Sequence, residues 1–533
     1  MPKLTAILFF VLISSHLLFS QIRPDYDVKQ WKQKEHREEM ALVVTGQTDQ
    51  AIDELQPYLE ANPSDAEALY VLSFAFSAKG EIDKAFEYCQ AALDEGLPIE
   101  RFLAGPRDGF ELLIESEQFQ NVYEHNPVEL LHGPMLGSVT DHAAKVWLRT
   151  FHDIPVQVMA SASPDMSSPF SSRKVVTRAE DDFTAKIPLF HLSPNTTYYY
   201  QLKLGDSLLS EIYSFTTWPQ QNTEARISVA FGGGAAYNPH KEFIWNVIND
   251  HSPHCLLMMG DNVYIDHPKE RDVQRFCYYQ RQSSRPWRRL LSTVPVAAIW
   301  DDHDFGVNDD YGGPKKYEPA WKPEVLEVFR QNWPNPAFAD DENTPGIWFD
   351  FKIANVQFFM LDCRYYREPS TAEHPSMLGP VQLQWLKNQL KASDATFKVI
   401  VSSVPWADEA KGAMEGRYDT WRGYQQEREE IFNFLTENEI KGVFLIAADR
   451  HRADAWQHQR ENDYPLWEFE TSRLTNIHVH ALMPEAFLGY NKRCMFYLLE
   501  FDTTVNDPKV VAKVINNQNE LIQQVTLYRS QLE

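Results

Sequence analysis

Cys255-Leu256-Leu257-Met258-Met259-Gly260-Asp261-Asn262-Val263-Tyr264 is an apolar run that stops at a glycine and a carboxylate. Five consecutive apolar residues fit a strand buried on both faces, ended by the Gly-Asp pair. The pattern recurs twice. Residues 294–300 break into Asp301-Asp302-His303-Asp304, and residues 443–448 break into Asp449-Arg450-His451. In an open α/β sheet, ligands bind outside the carboxyl ends of the strands. Three buried strands ending in acids and histidine therefore gather those groups at one place. Carboxylates crowded in an apolar setting are costly unless cations neutralise them. The pattern predicts a polynuclear metal centre.

Strand and helix patterns alternate around these runs from Ala225 to about Ile515. Further strands are expected at 227–231, 356–361 and 398–401, with helices at 382–390 and 427–436. The fold class expected is α/β, a layered domain with mixed β-sheets over 225–515. A C-terminal β tail is expected over 516–533. Upstream, residues 144–149 alternate with period two, and Ser193-Pro194-Asn195 is a turn before the aromatic strand Tyr198-Tyr199-Tyr200. Short strands at this spacing predict a small sandwich over 127–218, resembling a fibronectin type III-like module.

Residues 36–98 are helical by periodicity. Gly46-Gln47-Thr48-Asp49-Gln50-Ala51 recurs as Gly80-Glu81-Ile82-Asp83-Lys84-Ala85. The offset, 80 − 46 = 34 residues, is the tetratricopeptide period, and the segment resembles a pair of such repeats. Two readings are open: a cap packed on the body, or a groove for a protein partner. The segment carries none of the acids above, so it is expected to stand apart from the chemistry. Removing 22–98 is then expected to leave catalysis intact.

Lys3, the apolar stretch 4–19 and Ser20 before Gln21 follow the order of a secretory signal peptide over 1–21. The alternative is an uncleaved anchor, which Ser14, Ser15 and His16 interrupt. With no later run suited to a bilayer, the expected location is exported, periplasmic or extracellular. The chain has 533 residues, 43% hydrophobic, with 14 Trp, enough for a large core in several domains. Its net charge of −25 argues against a nucleic-acid-binding face. Any phosphate-bearing substrate must then be held by local cations, either metals or a few arginines. The five cysteines are scattered and show no disulfide framework.

Asp261 suits a bridge between two cations, and the Tyr264 phenol suits a hard ferric ion. The plain alternative is a helix-capping Asp and a core Tyr. Asp302 and His303 run on into Asp304, Asn308 and Asp309, which alone would read as a solvated acidic loop. Asp449 and His451, two apart on an extended segment, point the same way.

Together, Asp261-x-x-Tyr264, Trp300-Asp301-Asp302-His303-Asp304 and Asp449-x-His451 resemble the calcineurin-like metallophosphoesterases. More narrowly, they are similar to the alkaline phosphatase D (PhoD-like) family. Asp362-Cys363-Arg364 with Arg367, and Leu378-Gly379 with Gln382, Trp385 and Leu386, resemble further family segments. The likeness spans about 127–515 and leaves the helical repeats outside. It implies an exported metal-dependent phosphoesterase acting on phosphate esters through a metal-activated hydroxide. It implies two or more metal ions, Ca2+ and/or Fe3+, with Mg2+ or Mn2+ also compatible with an oxygen-rich set. The implied metal ligands are Asp261, Tyr264, Asp302, Asp449 and His451. Asp261 and His303 are the implied catalytic residues, with His303 protonating the leaving oxygen or stabilising the phosphoryl group. Arg364, Arg367 and Asn308 are candidates for substrate binding, with a structural ion pair as the alternative for the arginines. One departure stands out. The first catalytic strand ends Phe231-Gly232-Gly233-Gly234-Ala235, with Gly234 where the family places a metal-binding Cys. Weaker iron retention is expected, with Gly234→Cys raising iron content if the backbone there can accept a Cβ. The rival reading is a non-catalytic exported binding protein, with a relict metal site and repeats that recruit a partner.

Overall fold

The computed structural model describes residues 35–125, 127–339, 343–410 and 418–533. The expected signal segment at 1–21 lies outside them. The apolar runs become strands because their continuous hydrophobicity needs cover on both faces. Arg226–Gly232, Cys255–Met259 and Val296–Ile299 pair in parallel at the middle of a nine-stranded sheet. Met495–Asp502, Lys509–Asn516 and Leu521–Tyr528 extend it antiparallel on one side. Leu130–Gly137, Ala143–Thr150 and Thr184–Phe190 extend it on the other.

A seven-stranded sheet faces it, in the order Phe349–Ile353, Val356–Met360, Phe397–Val401, Val443–Ala447, Asp463–Thr471, Ala453–Arg460, Leu488–Tyr490. Its central strands are parallel and every residue of them is buried. Aromatic side chains fill the space between the sheets. The Phe501 ring lies 5.6 Å from Phe397 and 6.2 Å from Phe358 and Phe444. Tyr497 lies 5.6 Å from Phe469. Such large rings dominate core energetics.

Two expected boundaries dissolve in this arrangement. Three strands of the 127–218 module belong to the nine-stranded sheet, joined through the pairing of Gly137 with Val296. Its remaining strands, led by Pro155–Ser161 and Thr197–Leu204, form a third sheet. The boundary expected at 515/516 falls inside Lys509–Asn516, and Leu521–Tyr528 is an edge of the main sheet. Sheet membership is set by backbone pairing, which residue composition does not mark.

The N-terminal segment is helical throughout, with Arg37–Val44, Thr48–Ala61, Ala66–Ala78 and Ile82–Asp94 followed by three short helices. Asp65 caps Ala66–Ala78 by accepting from the Glu67 and Ala68 amides. That helix is almost wholly buried, so the segment is not free-standing. Tyr70 stacks at 5.8 Å on Phe276 of the helix Arg271–Ser283 in the main body. Arg101 forms a two-pronged pair with Glu67 and lies over the same Phe276 ring. The geometry favours the cap over the open groove. No helix among the described residues is long and apolar enough to cross a membrane.

Candidate metal centre

Gly260 has φ +102°, and a Cβ there would lie 2.4 Å from Asp301 Cβ. Only a glycine lets the first strand-end loop lie so close against the second. Asp304 ties the two together. Its Oδ1 accepts from the Asn262 and Val263 amides at 2.9 and 3.1 Å, and its Oδ2 from the Asp301 amide at 3.0 Å. Asp301 and Asp304 form the capping box of the short helix Asp302–Phe305. Asp301 Oδ1 also accepts from Arg364 Nε at 2.6 Å and Ser403 Oγ at 2.8 Å. Two of the loop's acids therefore build the scaffold, and Asp302 and His303 join the acids of the site.

The sequence-predicted residues converge around Tyr264. Its hydroxyl donates to Asp261 Oδ2 at 2.9 Å, lies 3.3 Å from His451 Nε2 and accepts from Asn476 Nδ2 at 2.5 Å. Donor atoms of Asp261, Asp302 and His303 lie within 4.8 Å of one another, as do those of Asp302, Asp309 and Asp419. Asp261 and Asp449 both sit in the left-handed region, at φ +51° and +72°. Such backbone strain is retained where the surroundings impose it, often at functional sites.

Electrostatics make the cluster incomplete as a purely protein site. Asp261 Oδ1, Asp449 Oδ2 and His451 Nδ1 are buried without a hydrogen-bond partner. Burial, then the charges of Asp302, Asp301 and Asp304, push the Asp261 carboxyl well up despite nearby His303. Burial first, with Asp419 and Asp302 behind it, pushes Asp449 up to about 7 against the pull of Arg450. Asp302 is held down to about 2, because His303, Arg364 and the Asp309 amide outweigh its burial. Burial would lower His303, but the carboxylates of Asp266, Asp302 and Asp261 hold it well above the usual imidazole range. Burial and the neighbouring His480 and His478 hold His451 well below it. Unpaired buried oxygens and mutually repelling carboxylates fit bound cations, which would satisfy both.

Three expectations need correction. Arg364 is fully buried and its guanidinium is used internally. It meets Asp301, the Asp310 carbonyl and both oxygens of Asp419. Arg367 pairs with Asp419 at 2.7 Å and donates to Tyr424 Oη and the Tyr418 carbonyl. Both arginines follow the ion-pair alternative, because Asp419 engages them. Asn308 lies exposed on the turn after the Asp302–Phe305 helix, and it is the neighbouring Asp309 that reaches Asp302, through its amide at 2.6 Å. Gly234 cannot take a Cys side chain. Its φ is +64°, and a Cβ would lie 2.6 Å from Ser472 Oγ and 2.8 Å from the Arg473 amide nitrogen.

The helical segment also fails to stand apart. Arg37 Nη2 lies 2.5 Å from Asp266 Oδ2, and its Nη1 donates to the Tyr264 carbonyl at 2.8 Å. Asp266 Oδ1 lies 2.5 Å from His303 Nδ1.

Sequence reasoning passed over several participants. Arg450 is 7% exposed, and its Nε and Nη2 make no hydrogen bond, although Nη2 lies 2.9 Å from Asp449 Oδ2. His478 and His480 bring their rings to 5.0 and 5.1 Å from His451, and the His451 amide donates to His480 Nδ1. Asn476, His478 and His480 share the two-residue spacing of Asp449 and His451, a signal that was readable. Asp266 had no such signal.

Family models for the PhoD-like phosphatase and the PhoD-like phosphatase N-terminal domain match residues 230–486 and 116–219. Alkaline phosphatase D of Bacillus subtilis (strain 168) is 23% identical over 330 residues, 52% of this chain and 56% of the relative. The chain thus spans little more than half of that relative's length. A solved structure of PhoD superposes with a TM-score of 0.62 at 17% identity, over 74% of this chain and 90% of that one. The purple acid phosphatase PPD1 from yellow lupin (Lupinus luteus) seeds gives a TM-score of 0.55 at 12% identity, over 75% of each chain. These two likenesses concern the fold. With both family models laid end to end across the strands that carry Asp261, Asp302 and His451, the chain belongs to the PhoD-like phosphatase family.

Proposed function

We propose that this chain is an exported, cation-dependent phosphoesterase. The observation that carries the reading is the meeting of Asp261, Tyr264, Asp302, His303 and His451 at strand ends, with buried donor atoms left unpartnered. A relict site would have no reason to keep such costly groups. Asp261, Tyr264 and His451 would hold one cation, with Asn476 Nδ2 donating to the Tyr264 oxygen behind it. Asp261, Asp302 and Asp449 would hold a second. The donors are carboxylates, a phenol and an imidazole, which suit Ca2+, Mg2+, Mn2+ or Fe3+. Cations there supply charge neutralisation at phosphate and an acidified water as nucleophile.

The chain's own residues do the rest. Asp266 fixes the His303 ring through Nδ1, so the other ring nitrogen serves the leaving oxygen as general acid. Arg450, paired with Asp449 through Nη2 but with Nε unspent, would take phosphate oxygens in place of Arg364 and Arg367, whose guanidinium groups are engaged by Asp419. Export rests on the Lys3 to Ser20 pattern.

The test is a panel of chromogenic monoesters and diesters beside elemental analysis. Chelation should abolish turnover, and added divalent cation should restore it. Asp261→Asn should stay folded while losing bound metal and at least about a hundredfold in kcat. Near wild-type turnover in that variant would refute the assignment.

A further inference from the structure

Arg37 and the first four helices lie outside both family-matched regions, yet the Arg37 side chain reaches the residues around the proposed metal centre. We infer that Arg37 is a positioning residue for the hydrolytic site, fixing His303 through Asp266 and the Tyr264 loop through its carbonyl. The inference rests on the phosphoesterase reading.

The geometry is a two-pronged strut. The Arg37 side chain is 5% exposed. One prong, Nη2, meets Asp266 Oδ2 at 2.5 Å, and the other oxygen of that carboxylate meets His303 Nδ1 at 2.5 Å. Asp266 is therefore gripped at both oxygens, by the catalytic imidazole on one and the helical segment on the other. The second prong, Nη1, donates to the Tyr264 carbonyl at 2.8 Å. Asp266 itself sits at φ +56°, in the left-handed region where a non-glycine residue needs its surroundings to hold it.

The strut is anchored at its base. Gln280 of the main body donates to the Glu35 carbonyl at 3.1 Å and to Glu67 Oε2 at 2.8 Å. Glu67 is held in turn by Arg101. Glu38 meets His267 at 3.3 Å beside the same loop. The segment's docking thus sets where the guanidinium arrives. Without Arg37, one Asp266 oxygen loses its partner, and nothing resists rotation of the carboxylate that aims the His303 ring. Partners behind the reacting shell typically contribute 10–100-fold to activity or metal affinity.

Full-length Arg37→Ala, Arg37→Lys and Asp266→Asn, with the Arg37→Ala/Asp266→Asn double variant, test the inference. Arg37→Ala should lose about 10–100-fold in kcat with KM little changed. Arg37→Lys should recover part of that loss, and methylguanidinium should rescue Arg37→Ala but not Asp266→Asn. The double variant should lose less than the product of the two single losses, because both act on one imidazole. Cation retained after dialysis, read by elemental analysis, should fall in Arg37→Ala because the Tyr264 loop loosens. A merely structural Arg37 would lower the melting temperature, leave kcat per folded molecule unchanged and give multiplicative effects. A folded Arg37→Ala with wild-type kcat and wild-type cation retention overturns the inference. If Arg37→Ala does not fold, Arg37→Lys decides on the same two readouts. If the wild type cleaves no ester, the functional reading fails, and cation retention still decides for or against Arg37.

Discussion

Tyr264 gathers contacts from four segments of the chain. Its hydroxyl touches Asp261, His451 and Asn476, and its carbonyl receives Arg37. Charge at this scale is sorted by partner. Arg364 meets Asp301 and Asp419 directly, whereas Arg450 pairs only with Asp449, through Nη2 at 2.9 Å, and its Nε makes no hydrogen bond. Arg364→Met should therefore cost about 3–5 kcal/mol of stability, since the buried Asp301 loses its counter-ion and Asp419 keeps only Arg367. Arg450→Ala should lower the melting temperature less than Arg364→Met, because only the pair with Asp449 is lost, and lower kcat/KM for phosphoesters about 10–100-fold, the value of a charge-assisted hydrogen bond. Calorimetry and steady-state kinetics on both variants separate the roles, and equal behaviour of the two would refute them. Composition at Asp362-Cys363-Arg364 could not distinguish these fates. Both arginines follow an acid closely in sequence, and acids far along the chain, Asp301 and Asp419, decide that Arg364 is fully engaged. Asp266 was invisible for a similar reason, because its meaning comes from Arg37 and His303 rather than its neighbours.

At the scale of elements, the strand ends were legible within a residue or two. The run 255–259 is the observed Cys255–Met259, and 443–448 is observed as Val443–Ala447. Unbroken apolar runs followed by acids leave little choice of where a strand stops. The helix inside Trp300 to Asp304 was not legible, because four polar residues in one turn point in different directions. Close approach of loops was legible only as a glycine signal. Gly234 packs against Ser472 and Arg473, and its carbonyl accepts from the Thr475 and Asn476 amides. Gly234→Ala should cost about 2–4 kcal/mol, combining a positive-φ penalty with a backbone clash. Gly234→Cys should be at least as unstable and should not gain iron. Chemical denaturation and elemental analysis check this. A stable Gly234→Cys enriched in iron would show that the loop yields.

Across the whole molecule, the helical cap has its own electrostatic clasp. His36 is buried, which alone would lower its pKa, but its hydrogen bond to Asp65 and the Glu39 carboxylate 3.6 Å away raise it to about 9 from 6.5. The folded value lies above the unfolded one, so the charged imidazole contributes stability that is fully present below about pH 6.5 and lost as pH rises through about 9. Melting followed across that window should fall for the wild type and stay flatter for His36→Gln. Parallel curves would remove the clasp.

The nine-stranded sheet bears on how the chain is made. The strand Arg226–Gly232 delivers Gly233 and Gly234 to the site, and its neighbours are Cys255–Met259 and Met495–Asp502. The first neighbour leaves the ribosome soon after it, and the second, Met495–Asp502, only after the whole seven-stranded sheet has been made. Until then one edge of the strand Arg226–Gly232 stays open, a template for wrong pairing. Pairing across such sequence separation is also slow to form. A chain cut anywhere before Met495 loses the wall of its catalytic strand rather than a dispensable end.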